Sequence, residues 1–306
     1  MKIKVGTRGS NLALIQTNLV IKELKENNPH LEFEIKVIKT KGDIILNVPL
    51  HKFNDNGIFS KEIETALLNK EIDLAVHSMK DMPSRHTKGL TFGSVPKGED
   101  PRDVIVSKKI INSLSDLEGC LIGTGSVRRD VQLKKFIKNI EVKSIRGNIE
   151  SRMNKIETEN LDGVMLAAAG LKRANYESRI SCYLDPKLFI PSPCQGILAL
   201  QIREEDEEIK NILKTIEHYE TSIRAKAERA FLKKLGVGCE FPMGAYTEIN
   251  DESMTLYAMY GDENGRFLLT TKGTAPISQA ENLGIMLAEE LIEKSHELSS
   301  ERITEE

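Results

Sequence analysis

Short apolar runs of strand length alternate with segments of helical periodicity through the first two-thirds of the chain, and this alternation constrains the fold most. Ile3–Thr7 has the pattern of a strand, and apolar residues then recur at helical spacing over 12–24. Similar strand-like runs follow at Val104–Val106, Leu121–Gly123 and Gly163–Ala168, each with a helical segment nearby. Strands that alternate with helices are typical of parallel βα units, so the sequence predicts an α/β fold.

Two junctions divide this pattern. The first α/β stretch and the second share a turn of glycine, hydroxyl and basic residues after their first or second strand, at Gly6–Ser10 and Gly123–Arg129, which hints at a duplicated architecture. Pro96–Pro101 and Pro191–Gly196 are predicted crossings between domains. A predicted hairpin and packed helices make the last region α+β. We therefore predict three domains: residues 1–97 with 196–215 (α/β), residues 98–195 (α/β) and residues 216–306 (a smaller α+β domain).

Composition excludes several classes of function. The 306 residues carry 43 basic and 46 acidic side chains, a formal charge of −3, with no Trp and only 5% aromatic residues, so no nucleic-acid partner is expected. No stretch approaches the roughly 20 apolar residues of a membrane span. No apolar run follows the first lysines, so we expect a cytoplasmic protein without a membrane partner. Four cysteines without CxxC spacing and six scattered histidines predict no metal site.

The most informative local feature is the turn Gly123–Arg129. A glycine-rich turn before a helix exposes backbone N–H groups, which favour an anion. Arg128 and Arg129 oppose the helix dipole there, which makes sense if they hold a carboxylate or phosphate; the alternative is that they point into water. Residues 124–173 contain eleven basic and six acidic residues, five of the basic ones arginine. This cluster indicates a small polyanionic ligand. Arg8 and Ser10 repeat the pattern at the first strand–helix turn, where a surface arginine beside a capping serine is an equal alternative.

Two further features could carry chemistry. The buried-type strand Ile72–His77 leads to Lys80 and Asp81, and ligands in open α/β sheets bind beyond such strand ends. A carboxylate there can stabilise a developing cation or move a proton, although a solvated ion pair would give the same pattern. The loop Gly238-Cys239-Glu240 exposes a thiol that could be a nucleophile or an attachment point. Local sequence alone favours a buried inert cysteine, and Cys194 competes with Cys239.

Together, in order and spacing, these motifs resemble those of the porphobilinogen deaminase (hydroxymethylbilane synthase) family over nearly the whole chain. The segments that carry the resemblance are Thr7–Ala13, His77–Pro83, Gly123–Arg129, Arg146–Asn148, Leu166–Leu171, Gln195-Gly196 and Gly238-Cys239. The resemblance implies two α/β domains similar to periplasmic binding proteins and a smaller α+β domain that carries the cysteine loop. The rival classes are a non-catalytic anion-binding module of the same fold and, more weakly, an acyl- or phosphoryl-transfer enzyme, whose usual motifs are missing.

The resemblance also implies a reaction. Four porphobilinogen molecules would be joined head to tail, with loss of ammonia, into linear hydroxymethylbilane, a step of haem biosynthesis carried out by a monomeric transferase. The growing chain would be held on a dipyrromethane cofactor linked through a thioether to Cys239. Asp81 corresponds to the catalytic carboxylate of the family and would stabilise the azafulvene-like cation that forms as ammonia leaves. Each pyrrole carries two carboxylates, so six rings bring about a dozen negative charges, which an arginine-rich cleft would suit.

Finally, the resemblance assigns binding roles and points to three departures. The positions that match cofactor-binding residues are Lys80, Asp81, Thr124, Ser126, Arg128 and Arg129. The positions that match residues handling the substrate and the growing chain are Arg8, Ser10, Gln16, Arg146, Arg152 and Arg173. The departures are Asn56, where many members have lysine; Cys194, where glycine is usual; and Glu240, where a neutral or basic residue is common. None of the three removes a residue that is assigned to the chemistry.

Overall fold

The computed structural model describes residues 1–44, 60–238, 241–262 and 265–303. Its strands are β1 (Lys2–Thr7), β2 (Glu32–Val37), β3 (Leu74–Ser78), β4 (Leu90–Phe92), β5 (Asp103–Ser107), β6 (Leu121–Gly123), β7 (Glu141–Lys143), β8 (Gly163–Ala167), β9 (Cys182–Tyr183), β10 (Leu198–Arg203), β11 (Met243–Asn250), β12 (Ser253–Gly261) and β13 (Leu268–Pro276). Its α-helices are α1 (Asn11–Asn27), α2 (Lys41–Ile44), α3 (Lys61–Leu68), α4 (Val127–Phe136), α5 (Ile149–Thr158), α6 (Ala168–Arg173), α7 (Glu207–Lys214), α8 (Tyr219–Leu235) and α9 (Ala280–Ile303).

The first sheet has the strand order β2-β1-β3-β10-β4. β1 is parallel to both of its neighbours, as the alternating pattern predicts. β10 is antiparallel to β3 and to β4, so the sheet is mixed rather than wholly parallel. β10 joins this sheet only after the chain has passed through the second α/β stretch. It is therefore not joined to β3 by the crossover helix that makes consecutive strands parallel.

The second sheet repeats this arrangement with the order β7-β6-β8-β5-β9. β6 is parallel to β7 and β8, and β5 runs antiparallel between β8 and β9. Each strand of the second sheet thus has a counterpart in the first, with β5 in the place of β10. The shared turns noted in the sequence begin equivalent helices, since Ser10 precedes α1 and Ser126 precedes α4. This topology confirms the duplicated architecture.

The third sheet is an antiparallel meander, β11-β12-β13, covered by α8 and α9. Phe231 of α8 and Leu287 of α9 lie at the centre of its apolar core, which is separate from the cores on the two α/β sheets. β11 was not predicted, and neither were the short strands β4 and β9 or the helices α6 and α7. The expected division into two α/β units and a smaller α+β unit is confirmed. None of the described helices is long and apolar enough to cross a bilayer.

The two segments that connect the α/β units lie against each other. The Glu99 N–H donates to the Gly196 carbonyl at 3.0 Å. Gly196 has a φ of 87°, and a Cβ at this position would overlap the Glu99 carbonyl oxygen. A glycine is therefore required where the outgoing and returning chains cross, because other residues would meet both backbone strain and a steric clash.

Candidate active site

Lys80 and Asp81 lie beyond the carboxyl end of β3, as predicted. They belong to the 3₁₀ turn Met79–Asp81, which follows the strand directly. Met79 is buried, and its N–H donates to the Ile197 carbonyl at 2.9 Å, which ties the turn to the segment leading into β10. Lys80 is half-buried and Asp81 is exposed. The turn therefore presents an accessible carboxylate next to a partly desolvated ammonium group.

The two arginines at the start of α4 bind a carboxylate of the chain itself, Asp103 at the start of β5. Arg128 Nη1 donates to Asp103 Oδ2 at 2.7 Å, and Arg129 donates to Oδ1 through Nε at 3.1 Å and Nη2 at 2.8 Å. Each arginine is only 5% exposed. They also donate to the carbonyls of Ile190 and Met165. The alternative in which they point into water is wrong.

Electrostatics in this cluster favour the charged form of Asp103. Burial alone would raise the pKa of Asp103, but the guanidinium groups of Arg128 and Arg129 and the hydrogen bonds to the carboxylate hold it well below its usual range. The carboxylate is fully buried, with three charged or polar side chains around it. It thereby offsets one of the two buried positive charges and leaves the arginine pair with a net charge of about +1.

Gln195 joins this cluster to Lys80. Its Nε2 donates to Asp103 Oδ1 at 2.9 Å and to the Pro101 carbonyl at 2.7 Å, while its Oε1 accepts from Lys80 Nζ at 3.3 Å. Burial is the largest effect on Lys80 and lowers its pKa to about 8. The charges of Arg128 and Arg129 also lower this pKa, whereas those of Asp81 and Asp103 raise it. The strand-end lysine of one α/β unit is thus electrostatically coupled to the arginines of the other.

Arg152, on α5 of the second unit, also interacts with this region. Burial lowers its pKa to about 10, and the charges of Arg129 and Arg146 act in the same direction, whereas Asp81 opposes them. Arg152 Nε donates to the Gly147 carbonyl at 2.8 Å, which holds the side chain against the turn before α5. The predicted catalytic carboxylate and three of the predicted binding arginines therefore influence one another across the two α/β units.

A small cavity of about 80 Å³ lies on the first unit beside Asp81. Its lining includes Arg8, Ser10 and Gln16, three residues predicted to bind substrate. Ser10 accepts from the Ala13 N–H at 3.3 Å and so caps α1, and Gln16 Nε2 donates to Ser78 Oγ at 3.1 Å. The wall of the cavity also includes His77, whose pKa burial lowers to about 4, with Arg8 acting in the same direction.

The remaining predicted binding residues occupy turns around the second sheet. Thr124 is buried and accepts from the Ser126 N–H at 3.3 Å, and the Ser126 hydroxyl makes no capping hydrogen bond to α4. Arg146 is half-buried before α5. Arg173, at the end of α6, donates to the Gly196 carbonyl at 2.7 Å. Burial lowers the pKa of Arg173 to about 10, although the charge of Glu99 raises it. Arg173 therefore contacts the crossing of the two connecting segments.

The predicted cofactor cysteine, Cys239, lies outside the described residues, as do Glu240 and Asn56. α8 ends at Leu235, and its C-cap residue Gly236 has a left-handed conformation (φ 67°). The competing thiol, Cys194, is buried, and burial raises its pKa far above the ordinary range. Its φ of 61° is also left-handed, which is consistent with the glycine that many family members have there.

Sequence reasoning missed the buried polar residues that organise the site. Asp103 is not among the residues predicted from the sequence, and Gln195 appears there only as part of a motif. A third residue, Glu228, is 1% exposed and accepts from the Cys194 N–H at 2.6 Å and the Thr247 N–H at 3.0 Å. A signal for Asp103 existed, since an aspartate that opens an apolar strand needs a cation to compensate it. Among the described residues, no group of His, Cys, Asp or Glu is suited to hold a metal ion.

Comparisons with known proteins identify the family to which the sequence is similar. Two family models match, described as "Porphobilinogen deaminase, dipyromethane cofactor binding domain" over residues 3–211 and "Porphobilinogen deaminase, C-terminal domain" over residues 222–293. The chain is 48% identical over 298 residues to the porphobilinogen deaminase of Clostridioides difficile (strain 630), covering 97% of this chain and 99% of that one. It is 47% identical over 293 residues to that of Clostridium novyi (strain NT), covering 94% and 98%.

Among solved structures, the chain is similar to a probable amino-acid ABC transporter extracellular-binding protein from Bacillus subtilis, with 16% identity and a TM-score of 0.43 over 76% of this chain and 95% of that one. The family models together span nearly all of the chain, and they include the strand-end turn, the arginine turn and most of α8. The two curated relatives extend the match over almost their entire lengths. On this evidence the chain belongs to the porphobilinogen deaminase family.

Proposed function

We propose that this protein joins four porphobilinogen molecules head to tail, with release of ammonia, into linear hydroxymethylbilane, on a dipyrromethane group attached to Cys239. The observation that supports this best is the position of Asp81. It is an exposed carboxylate whose surroundings are cationic, with Lys80 next to it in the chain and an electrostatic interaction with Arg152 of the other α/β unit. A ligand with many carboxylates and a reaction centre that becomes positive needs this combination.

The chemistry of the available donors fits a dipyrromethane, which carries several carboxylates. Lys80 offers an ammonium group, and the Ser126 hydroxyl is not used to cap α4. Within the described residues, the hydrogen bonds of Arg128 engage Nη1, so Nε and Nη2 keep their capacity to donate. We therefore propose that Lys80, Thr124, Ser126, Arg128 and Arg129 hold this group. When bound, it supplies the pyrrole carbon to which the first substrate is joined.

Asp81 would carry the chemical step. A carboxylate accepts hydrogen bonds from pyrrole N–H groups, and it stabilises the positive charge that spreads over the substrate ring as ammonia leaves. Arg8, Ser10 and Gln16 would bind the incoming substrate, because they line the cavity beside Asp81. Arg146, Arg152 and Arg173 would neutralise the carboxylates of the lengthening product. An exposed carboxylate beside these cations would repel the ligand of a non-catalytic anion receptor, which favours a catalytic role for Asp81.

The same proposal includes the three-domain division given by the sequence: 1–97 with 196–215, 98–195, and 216–306. It is supported by the return of β10 to the first sheet and by the connecting segments that cross at Gly196. The monomeric state, the cytoplasmic location and the lack of a nucleic-acid or membrane partner stay predictions.

Intact-mass spectrometry tests the cofactor assignment. We expect the purified protein to exceed its polypeptide mass by one dipyrromethane unit and to react with Ehrlich's reagent. Cys239→Ser should lose both signals, because it has no thiolate to form the thioether. Cys194→Ser is the matched control and should keep them, since the Cys194 thiol is buried and its pKa is raised. A bare polypeptide mass for the wild type, or an adduct that survives in Cys239→Ser, would refute the assignment.

A further inference from the structure

Gln195 occupies an unusual position among the buried side chains, because it contacts charged groups of both α/β units at once. It is 1% exposed. Its three hydrogen bonds reach Lys80, which follows β3 of the first sheet, Asp103, which begins β5 of the second, and the carbonyl of Pro101 in the connecting segment. A side chain in this position can couple the placement of Lys80 in the first unit to that of Asp103 in the second.

The chemistry of these contacts determines how the amide is oriented. Pro101 O and the ionised Asp103 carboxylate only accept, so both must face the two hydrogens of Nε2. Oε1 is then directed at Lys80, which only donates. The amide uses both of its Nε2 donors and its carbonyl oxygen, and its flipped orientation would oppose every partner. A neutral side chain with donors at one corner and an acceptor at the other is required here.

The backbone on either side of Gln195 is held as firmly as its side chain. The Cys194 N–H donates to the buried carboxylate of Glu228 on α8 at 2.6 Å, and the Gln195 N–H donates to the Ser192 carbonyl at 3.0 Å. The Gly196 carbonyl accepts from Glu99 and from Arg173. The turn that carries the amide is therefore braced by the third unit and by both connecting segments.

We propose that Gln195 is a positioning residue that fixes the Lys80 ammonium relative to the cluster of Asp103, Arg128 and Arg129, so that cations of both α/β units face one polycarboxylate ligand. The proposal rests on the binding role of Lys80 given above. Gln195 acts through Lys80 and Asp103 and contributes no group to the reaction. Its amide is neutral, so it orients Lys80 without cancelling the positive charge that the ligand needs.

The ionisation of Lys80 provides a direct measurement of this coupling. The charged groups around Lys80 are Asp81 on its own turn, Asp103 on β5, and Arg128 and Arg129 on α4. Full-length Cys239→Ser protein, which should carry no pyrrole, can be acetylated with acetic anhydride over a range of pH, and the modification of Lys80 read by peptide mass spectrometry. We expect a midpoint near pH 8, the value to which burial lowers the pKa.

Substitution of Gln195 should lower this midpoint. Gln195→Met removes the acceptor from the ammonium and should lower the pKa of Lys80, because the charged form loses a hydrogen bond. Gln132→Met is the matched control, because Gln132 is also a fully buried amide but donates to the Ile190 carbonyl. It should leave the Lys80 midpoint unchanged even if its melting temperature falls as much as that of Gln195→Met.

Turnover completes the test in proteins that retain Cys239. We expect kcat to fall roughly 10- to 100-fold in Gln195→Met, as for other misplaced binding groups, and to stay near the wild-type value in Gln132→Met. An identical Lys80 midpoint in all variants would overturn the proposal, and so would normal kcat and cofactor loading in a folded Gln195→Met protein. The Lys80 titration does not depend on activity, so inactivity of the wild type towards porphobilinogen would count against the proposed function instead.

Discussion

Arg128 Nη1 lies 2.7 Å from Asp103 Oδ2, and both side chains are removed from solvent. The pair joins the first turn of α4 to the first residue of β5. It explains how two adjacent arginines can be buried at a helix N-terminus, where the helix dipole disfavours them. A protein carboxylate compensates part of their charge, and the remainder is available to a ligand.

Asp103→Asn should destabilise the protein by about 3–5 kcal/mol, because it leaves two buried guanidinium groups without their counter-ion. Urea unfolding followed by circular dichroism would measure the loss. Asp130→Asn is the control, since Asp130 forms a partly exposed pair with Lys134 on the same helix and its loss should cost less than about 1 kcal/mol. Equal losses in the two variants would contradict the role of Asp103.

The same pair predicts a dependence of stability on pH. The folded state holds the pKa of Asp103 below its unfolded value of about 3.9, so the stabilisation is complete above that value and is lost as pH falls through the folded pKa. The difference in urea midpoint between wild type and Asp103→Asn should be constant from pH 7 to 5 and shrink at about pH 3 and below. A difference that does not change with pH would exclude ionisation as its cause.

Asp81→Asn should leave stability within about 0.5 kcal/mol of the wild type, because Asp81 is exposed. Turnover should nevertheless fall at least about 100-fold, since a neutral amide cannot stabilise the developing cation in the same way. Asp185→Asn, at another exposed aspartate remote from the cluster in sequence, should keep normal turnover. Wild-type kcat in Asp81→Asn would remove its catalytic role.

Arg152→Leu should raise KM for porphobilinogen or stall the lengthening product, because it removes a charge that bonds to carboxylates, worth about 1.5–3 kcal/mol. That range corresponds to roughly a 10- to 150-fold change in KM or in the rate of elongation. Arg179→Leu removes an exposed arginine from the same unit and should have neither effect. Steady-state kinetics, with native gels to resolve stalled intermediates, would separate the two variants, and equal behaviour would refute a specific role.

Several elements of the site could be predicted from local sequence. Lys80 and Asp81 follow an apolar run of strand length, and the ends of such strands meet at one edge of a sheet. Arg128 and Arg129 stood out because they oppose a helix dipole, and the structure finds both buried against an anion. That anion is Asp103, about 25 positions earlier in the chain, and nothing local identifies which carboxylate a buried arginine will meet.

Other elements depended on contacts that the local pattern does not encode. β10 pairs antiparallel to β3 although more than 110 residues separate them, because the chain returns to the first sheet only after it has built the second. Gln195 looked like one residue of a short motif, and its importance comes from the charges of two units that meet around it. Glu228 looked like one acidic residue of a helix, yet it braces the turn that carries Gln195.

The sequence by itself determined the alternation of strands and helices, the turns that cap α1 and precede α4, and the family, because these follow from local periodicity and from motifs in fixed order. Only the tertiary structure decided which charges face one another. Lys80 and Asp103 come within reach of one amide because two separately built sheets turn their strand ends towards each other. The desolvation that lowers the pKa of Lys80, and the cation pair that lowers that of Asp103, exist only after this packing is complete.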